Sequence, residues 1–74
     1  MAKTVSGNRC VKILCRHFGF FIARQKGSHV KLRRGVESKI ITTIVPLHRE
    51  LASGTLHGIL KLAEVSGDDF LKFL

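Results

Sequence analysis

The stretch FFIARQKGSHVKLR, residues 20–33, decides the fold of this chain of 74 residues. Apolar and polar side chains alternate with a period of two on both sides of Lys26 and Gly27, which is the pattern of β-strands. Glycine is typical of tight turns because it adopts backbone conformations that other residues avoid. The stretch therefore predicts a hairpin with strands at residues 20–25 and 29–33, connected through Lys26 and Gly27.

The pairing register of this hairpin follows from its loop, which has either two residues, Lys26 and Gly27, or four, residues 25–28. Both loops give the same register. The predicted pairs are Arg24 with His29, Ala23 with Val30, and Phe21 with Leu32. One face of the hairpin is then apolar and consists of Phe21, Ala23, Val30 and Leu32. The opposite face carries Arg24, His29, Lys31 and Arg33 together with Phe20 and Ile22. We therefore expect His29 to face solvent.

The segment before the hairpin has the periodicity of a helix. Apolar residues recur at the spacing of one helical face, namely Val11, Leu14, Cys15 and Phe18. Ser6 is a typical N-cap and Gly19 a typical C-terminal cap, so we predict a helix over residues 6–18. Another face of this helix carries a cationic stripe, which consists of Arg9, Lys12 and Arg16.

Three further elements follow the hairpin. A turn at residues 34–39 leads to a third strand at residues 40–45, which is rich in β-branched residues and is stopped by Pro46. The alternation in this strand does not decide its faces. After a loop at residues 46–51, a second helix starts near residues 53–55, with an apolar face of Leu56, Ile59, Leu60 and Ala63. Ser66 and Asp69 have the spacing of a capping box and open a short C-terminal helix.

These elements predict one domain over residues 1–74, without a repeat, linker or low-complexity segment. The predicted fold class is α+β, with the order α-β-β-β-α, a three-stranded antiparallel sheet covered by helices on one face, and a short extra C-terminal helix. Double-stranded RNA-binding domains have the same order of elements. With 45% hydrophobic residues the chain can form a core, but its length leaves little room for an internal cofactor.

Basic residues are concentrated in the first half of the chain. The chain has 13 Lys and Arg against 5 Asp and Glu, a formal net charge of +8, and residues 1–36 contain no acid. Such a charge favours a polyanionic partner. Nucleic acid is the leading candidate, and an anionic membrane surface or an acidic protein is the alternative. The alternative is a basic face that serves only solubility.

The remaining composition argues against a membrane, secreted or metal-binding protein. The chain has no run of 18 apolar residues and no N-terminal signal sequence, so we expect a cytoplasmic protein without membrane contact. Cys10 and Cys15 are separated by about 7.5 Å along the axis of the predicted helix, which is too far for a disulfide, so we expect both to be reduced. No Cys and His spacing matches a zinc site, and we expect neither a metal nor a small-molecule cofactor.

Three segments together resemble a known family: GFFIARQKGSHVKL at residues 19–32, Pro46 with His48, and GTLHGILKLAEVSGDDFLKFL at residues 54–74. From about Val5 onward, the chain closely resembles the HicA toxins of prokaryotic toxin–antitoxin pairs. The resemblance implies a small basic endoribonuclease, an mRNA interferase of double-stranded RNA-binding-like fold, that cleaves mRNA independently of ribosomes. It also implies a HicB-like antitoxin that holds the toxin inactive.

The resemblance assigns the catalytic role to one residue. In the family the histidine after Gly-Ser is catalytic, and it matches His29. The chain departs from many members at three points. Val30 stands where a second histidine or another polar residue is common, His57 stands where arginine is common, and the loop after Pro46 is short. None of these departures removes His29, but a changed loop can alter the RNA preference.

The chemistry of His29 is compatible with this role. RNA is cleaved without a metal when a base removes the proton of the 2′-OH, whose oxygen then attacks the adjacent phosphate. Histidine can serve as the acid or the base because it titrates near neutral pH. The residues predicted to bind RNA are Arg24, Lys26, Gly27, Ser28, Lys31, Arg33 and His48. The cations among them bind phosphate, whereas Ser28 either contacts phosphate or closes the turn.

Two other functions fit the same residues. An exposed strand histidine among cations can be without any role, in which case the protein is a non-catalytic double-stranded RNA-binding module. A purely protein-binding domain is the third possibility, and it predicts weak association with RNA that does not depend on salt.

Overall fold

The computed structural model of the protein describes residues 4–74. Its elements follow in the order α1 (Gly7–His17), β1 (Phe21–Lys26), β2 (His29–Val36), β3 (Lys39–Pro46), α2 (Ser53–Ala63) and α3 (Gly67–Leu71). The three strands form one antiparallel sheet in the order β1-β2-β3. This confirms the α+β class, the α-β-β-β-α order of a double-stranded RNA-binding-like fold, and the short extra helix at the C-terminus.

Helix α1 begins and ends where its capping residues predict. The hydroxyl oxygen of Ser6 accepts a hydrogen bond from the backbone N–H of Arg9 (3.0 Å), one of the first-turn donors that has no partner within the helix. At the other end Phe18 is the C-cap, and Gly19 follows with a φ of +77°. The predicted apolar face is buried or half-buried, and Leu14 is fully buried.

The β1–β2 hairpin differs from the prediction in its turn and its register. Gly27 and Ser28 form the turn, and Lys26 pairs with His29 at the end of the ladder. Gly27 has a φ of +59°, which is what the first central position of a type II′ turn requires. The turn therefore begins one residue later than predicted. The predicted pairs are wrong, and the observed pairs include Lys26 with His29, Gln25 with Val30, Arg24 with Lys31, and Ile22 with Leu32.

A β-bulge at Ala23 interrupts strand β1. The register shifts between Ile22 and Arg24, so Ala23 has no partner in β2. Directly paired residues of antiparallel strands point to the same face, and an extra residue reverses the alternation on one side of a bulge. Phe21 and Arg24 therefore lie on one face of the sheet, although regular alternation would place them on opposite faces.

The bulge and the edge position of β1 change which residues are buried. Val30 and Leu32 are buried as predicted, at 2% and 0% exposed. The predicted burial of Phe21 and Ala23 is wrong, since Phe21 is 56% exposed and Ala23 is exposed. Phe20, predicted on the outer face, is buried instead. Helices α1 and α2 pack mainly against β3, so they leave the edge strand β1 uncovered.

The second turn is shorter than predicted, because β2 continues to Val36 and only Glu37 and Ser38 connect it to β3. Arg34, predicted to lie in this turn, is thus part of β2 and half-buried. Its Nη1 donates to the Phe18 carbonyl (3.0 Å), and its guanidinium carbon lies 5.2 Å from the centre of the Phe20 ring. Arg34 therefore ties the end of α1 to the sheet.

The core lies between the helices and one face of the sheet. Strand β3 directs alternate residues inward, namely Ile41, Thr43 and Val45. The buried hydroxyl of Thr43 donates to the Ile59 carbonyl in α2 (2.9 Å), which connects the strand to the helix. Helix α2 buries Ile59, Leu60 and Ala63, which confirms its predicted apolar face.

The C-terminal helix closes one end of this core. The hydroxyl oxygen of Ser66 accepts from the Asp69 backbone N–H (3.1 Å), as its predicted role as a cap requires, and Phe70 is fully buried. An exposed ion pair between Lys39 and Glu64 (2.7 Å) joins the start of β3 to the end of α2. Within residues 4–74, no helix is both long and apolar enough to cross a membrane.

Candidate nucleic-acid interface

The face of the sheet that the helices leave uncovered is called the open face here. Its side chains come from all three strands, and the register assigns to it Phe21, Arg24, Lys26, His29, Lys31, Arg33, Ile40, Thr42 and Ile44. In β2 these residues alternate with the buried Val30 and Leu32, which confirms the predicted separation of a cationic and an apolar face in this strand. The open face therefore combines most of the cations of the hairpin with exposed apolar side chains.

A shallow depression of about 200 Å³ lies at one end of the open face. It is lined by Arg24, Lys26, His29, Lys31 and Ile44. The strand register explains this grouping, because two neighbouring rows of directly paired residues meet there. One row runs from Lys26 through His29 to Pro46, and the next runs from Arg24 through Lys31 to Ile44.

His29 occupies the first position of the central strand β2. Its backbone pairs with Lys26 in β1 and with Pro46 in β3, so strands on both sides hold its position. The residue is exposed, as the sequence predicts. A histidine on a doubly paired strand is placed more precisely than one on a mobile loop. The geometry thus presents the imidazole to solvent among Arg24, Lys26 and Lys31.

The turn beside His29 is fixed by contacts with neighbouring segments. The carbonyl of Ser28 accepts a hydrogen bond from the Leu47 N–H (2.6 Å), and the carbonyl of Gly27 accepts one from Gln25 Nε2 (3.3 Å). Gly27 has no atom within 4 Å of the position that a β-carbon would take, so the surface beside it is open. Gly27 and Ser28, both predicted to contact RNA, therefore form an anchored turn between Lys26 and His29, but neither lines the depression.

His48, also predicted to contact RNA, lies outside the lining of the depression. It is exposed in the loop after β3, two residues beyond Pro46, the partner of His29. Its carbonyl accepts a hydrogen bond from the Gly7 N–H (2.9 Å), which holds this loop against the start of α1. The backbone at His48 is therefore fixed against the start of α1, while the residue is exposed to solvent.

The cations of the open face have no acidic partner among the residues described. In residues 4–74 the ion pairs join Lys39 to Glu64 and Lys72 to Asp69, both away from the depression. The lining residues of the depression include no carboxylate. Unpaired cations grouped on one surface attract anions and bind phosphate oxygens.

The cationic stripe of α1 lies in the helical layer and not on the open face. Arg9, Lys12 and Arg16 are exposed and line a separate groove beside Phe73. His17 stacks on the Phe73 ring, with ring centres 3.8 Å apart and planes inclined by 12°. The C-terminal residues therefore fold back onto α1 and give His17 an aromatic partner.

The other titratable and thiol groups offer no second centre in the described part of the chain. Both cysteines are free, as predicted, and burial raises the pKa of the Cys10 thiol to about 12. His57 is exposed on α2. Over residues 4–74, no three or more His, Cys, Asp or Glu side chains lie close enough together to hold a metal ion.

The sequence does not predict that Phe21 and Ile44 belong to the open face. The alternation in the sequence predicts a buried Phe21, whereas the bulge at Ala23 places it on the open face and the edge position of β1 leaves it exposed. Ile44 lines the depression, but the row of β-branched residues in β3 does not show which of them face outward. The buried Thr43 next to it gives no signal either, since a threonine is common on both faces of a strand.

Comparison with known families matches residues 7–65 to the HicA toxin of bacterial toxin–antitoxin systems. The matched segment runs from the first residue of α1 beyond the end of α2, so it contains the whole sheet, the hairpin turn and His48. Comparison with curated protein sequences gives no significant match. Because the match covers more than half of the chain and all of the open face, this protein belongs to the HicA toxin family.

Proposed function

We propose that this toxin is a metal-independent endoribonuclease that cleaves mRNA in the cytoplasm, with His29 as the catalytic residue. The observation that carries the proposal is the depression on the open face, where an exposed histidine on a doubly paired strand is surrounded by three unpaired cations. Membership in a family of toxins from toxin–antitoxin systems supports it.

The proposed reaction is an internal transesterification of the RNA backbone. Neutral His29 accepts the proton of the 2′-OH, the 2′-oxygen forms a bond to phosphorus, and the bond from phosphorus to the 5′-oxygen breaks. The leaving 5′-oxygen takes a proton from the imidazolium or from water. The products are a 2′,3′-cyclic phosphate and a 5′-hydroxyl. All atoms and protons of this reaction balance without a metal or a cofactor.

The cations around His29 supply the electrostatic part of this mechanism. Lys26 pairs directly with His29. Arg24 and Lys31 pair with each other in the neighbouring row. Arginine can hold a phosphate through two parallel N–H···O bonds, whereas lysine acts as a point charge. Arg33, one row further along β2, extends this charge along the strand. Charge that develops on the phosphorane is stabilised by donors already in position.

The family implies an antitoxin partner. We propose a HicB-like antitoxin whose acidic or apolar surface covers the open face, because this face joins unpaired cations to the exposed Ile40 and Ile44. A candidate antitoxin that binds there protects His29 from modification by diethyl pyrocarbonate and leaves His57 reactive. Equal reactivity of His29 in the free toxin and in the complex would contradict coverage of the site.

The decisive test is cleavage of a defined single-stranded RNA by the wild type and by His29→Ala, in the presence of a chelator. We expect cutting with 2′,3′-cyclic phosphate ends by the wild type, and no cutting by His29→Ala. His57→Ala is the matched control, since it removes an exposed histidine from α2 and leaves the open face intact. Circular dichroism shows whether each variant folds.

Two outcomes separate the proposal from its alternatives. Full cleavage by His29→Ala refutes the catalytic role of His29. Salt-dependent binding without cleavage by any of the three proteins indicates the non-catalytic RNA-binding module, because phosphate contacts release counterions whether or not the RNA is cut.

A further inference from the structure

Phe21 is an exposed aromatic side chain on the same face as His29. It pairs directly with Arg33, which alternates with the buried Leu32, so both residues of this row belong to the open face. Phe21 is 56% exposed, whereas its neighbour Phe20 is buried at 4%. An exposed aromatic ring among cations is a surface on which the face of a planar base can stack.

The bulge at Ala23 is the device that puts Phe21 on this face. Phe21 and Arg24 are three residues apart, and in a regular strand such residues face opposite sides. The unpaired Ala23 reverses this relation, so Phe21 joins the row next to Arg24 and Lys31. Bulges are frequent beside functional sites because they re-aim a side chain in this way.

The spacing of the rows matches a single strand of RNA that lies along β2. Arg33, the partner of Phe21, lies four positions after His29 in β2, which corresponds to about 13 Å along a strand. In a stacked strand, successive nucleotides are about 3.4 Å apart along the axis. In an extended single strand the distance per nucleotide is roughly twice as long. Phe21 therefore lies about two nucleotides from a phosphate held at His29, with Arg24 and Lys31 between them.

We propose that Phe21 is a stacking subsite for one unpaired nucleobase, about two nucleotides from the phosphate at His29, and that it selects single-stranded over double-stranded RNA. This inference rests on the proposed function for the position of the scissile phosphate. An aromatic ring stacks on the face of any base, and only a base released from a duplex offers that face. The flanking Arg33 favours an anionic chain that carries planar bases over an apolar protein segment.

The edge position of β1 makes the ring accessible. All six residues of β1 are exposed, and helices α1 and α2 pack mainly against β3. A base can thus approach Phe21 without any movement of the helices. Ile40 is also an exposed apolar residue of the open face, at 69%, but it has no aromatic ring. It provides a matched control for apolar contact without stacking.

The test is a double-mutant cycle that combines Phe21→Leu in the protein with a single abasic nucleotide in the RNA. RNA affinity is measured in a His29→Ala background, which leaves the RNA uncut. In the parent protein, an abasic nucleotide at one position weakens binding about 5- to 150-fold, the range typical of one stacked base. In Phe21→Leu the same abasic nucleotide has no further effect, because the stacking partner is already absent. Ile40→Ala retains the full abasic penalty, and the parent binds a duplex of the same sequence more weakly.

Several results would overturn the subsite. The subsite is refuted if the abasic nucleotide weakens binding equally with and without the Phe21 ring. It is also refuted if the parent protein prefers duplex RNA or does not bind RNA. Cleavage by the wild type is assayed separately with the same oligonucleotide. An abasic penalty that depends on Phe21, without any cleavage, refutes the endoribonuclease and supports the subsite. Cleavage without such a penalty supports the endoribonuclease and refutes the subsite.

Discussion

Replacing Gly7 by alanine tests whether the loop after β3 is held by close packing against α1. The N–H of Gly7 donates to the His48 carbonyl (2.9 Å), and the helix start touches the loop backbone. A β-carbon at Gly7 would overlap the carbonyl oxygen of Pro46 and lie 2.7 Å from the Cα of Leu47. Both atoms belong to the backbone and cannot rotate away, so the loop or the helix must shift.

The expected cost can be worked from this overlap. Forcing an extra methyl group into a filled space destabilises a protein by about 1–3 kcal/mol, and more where backbone must move. In a domain of this size each 1 kcal/mol lowers the melting temperature by about 4–8 °C. We therefore expect Gly7→Ala to melt roughly 4–24 °C below the wild type, against the general preference of helices for alanine.

Gly58→Ala is the matched control in α2. Gly58 lies within a helix and has nothing within 4 Å of a β-carbon position, so alanine there introduces no overlap. It should stabilise the helix by about 0.5–1 kcal/mol. Both variants are compared by thermal unfolding followed by circular dichroism. If Gly7→Ala melts at or above the wild-type temperature, the close approach between α1 and the loop is not a stabilising constraint.

Two further predictions concern buried groups. Thr43→Val removes the hydrogen bond to the Ile59 carbonyl with little change in volume, so unfolding by urea should show a loss of about 0.5–1.5 kcal/mol; an unchanged midpoint would mean that this bond contributes nothing. Burial raises the pKa of Cys10 from 9.0 to about 12, so the unfolded thiol ionises first and the free energy of unfolding falls as pH rises above about 9. The slope from this group is at most about 1.4 kcal/mol per pH unit and should vanish in Cys10→Ala; a slope that persists there belongs to other groups. Native Cys10 should also react with iodoacetamide far more slowly at pH 8 than in denaturant, and equal rates would contradict its burial.

Local signals in the sequence were sufficient for most of the helical structure. Ser6 and Ser66 cap helices α1 and α3 as predicted, since a hydroxyl before an apolar run satisfies N–H groups that the helix leaves free. The apolar periodicity of α2 also matches its buried face. Such signals act within a few residues, so no knowledge of the rest of the fold is needed to read them.

The candidate site was predictable in part for a similar reason. Val30 and Leu32 alternate with His29 and Lys31, and this local alternation is sufficient to predict an exposed histidine among cations in β2. The catalytic assignment of His29 comes from resemblance and stays a prediction. The position of His48 relative to the depression depends on hydrogen bonds that join residues far apart in the chain, and no local pattern contains them.

By itself, the sequence determined the order of the elements, the capping residues of α1 and α3, the inward-facing Val30 and Leu32 of β2, and the cationic character of the hairpin. Only the tertiary structure decided the register of the hairpin, the exposure of Phe21 and the partner of His17. A bulge costs one unpaired residue and leaves no mark in composition, so Ala23 looks like any strand residue until β2 is paired beside it. The helices pack mainly over β3 and leave both faces of the edge strand β1 exposed, so the bulge decides which face carries the aromatic ring.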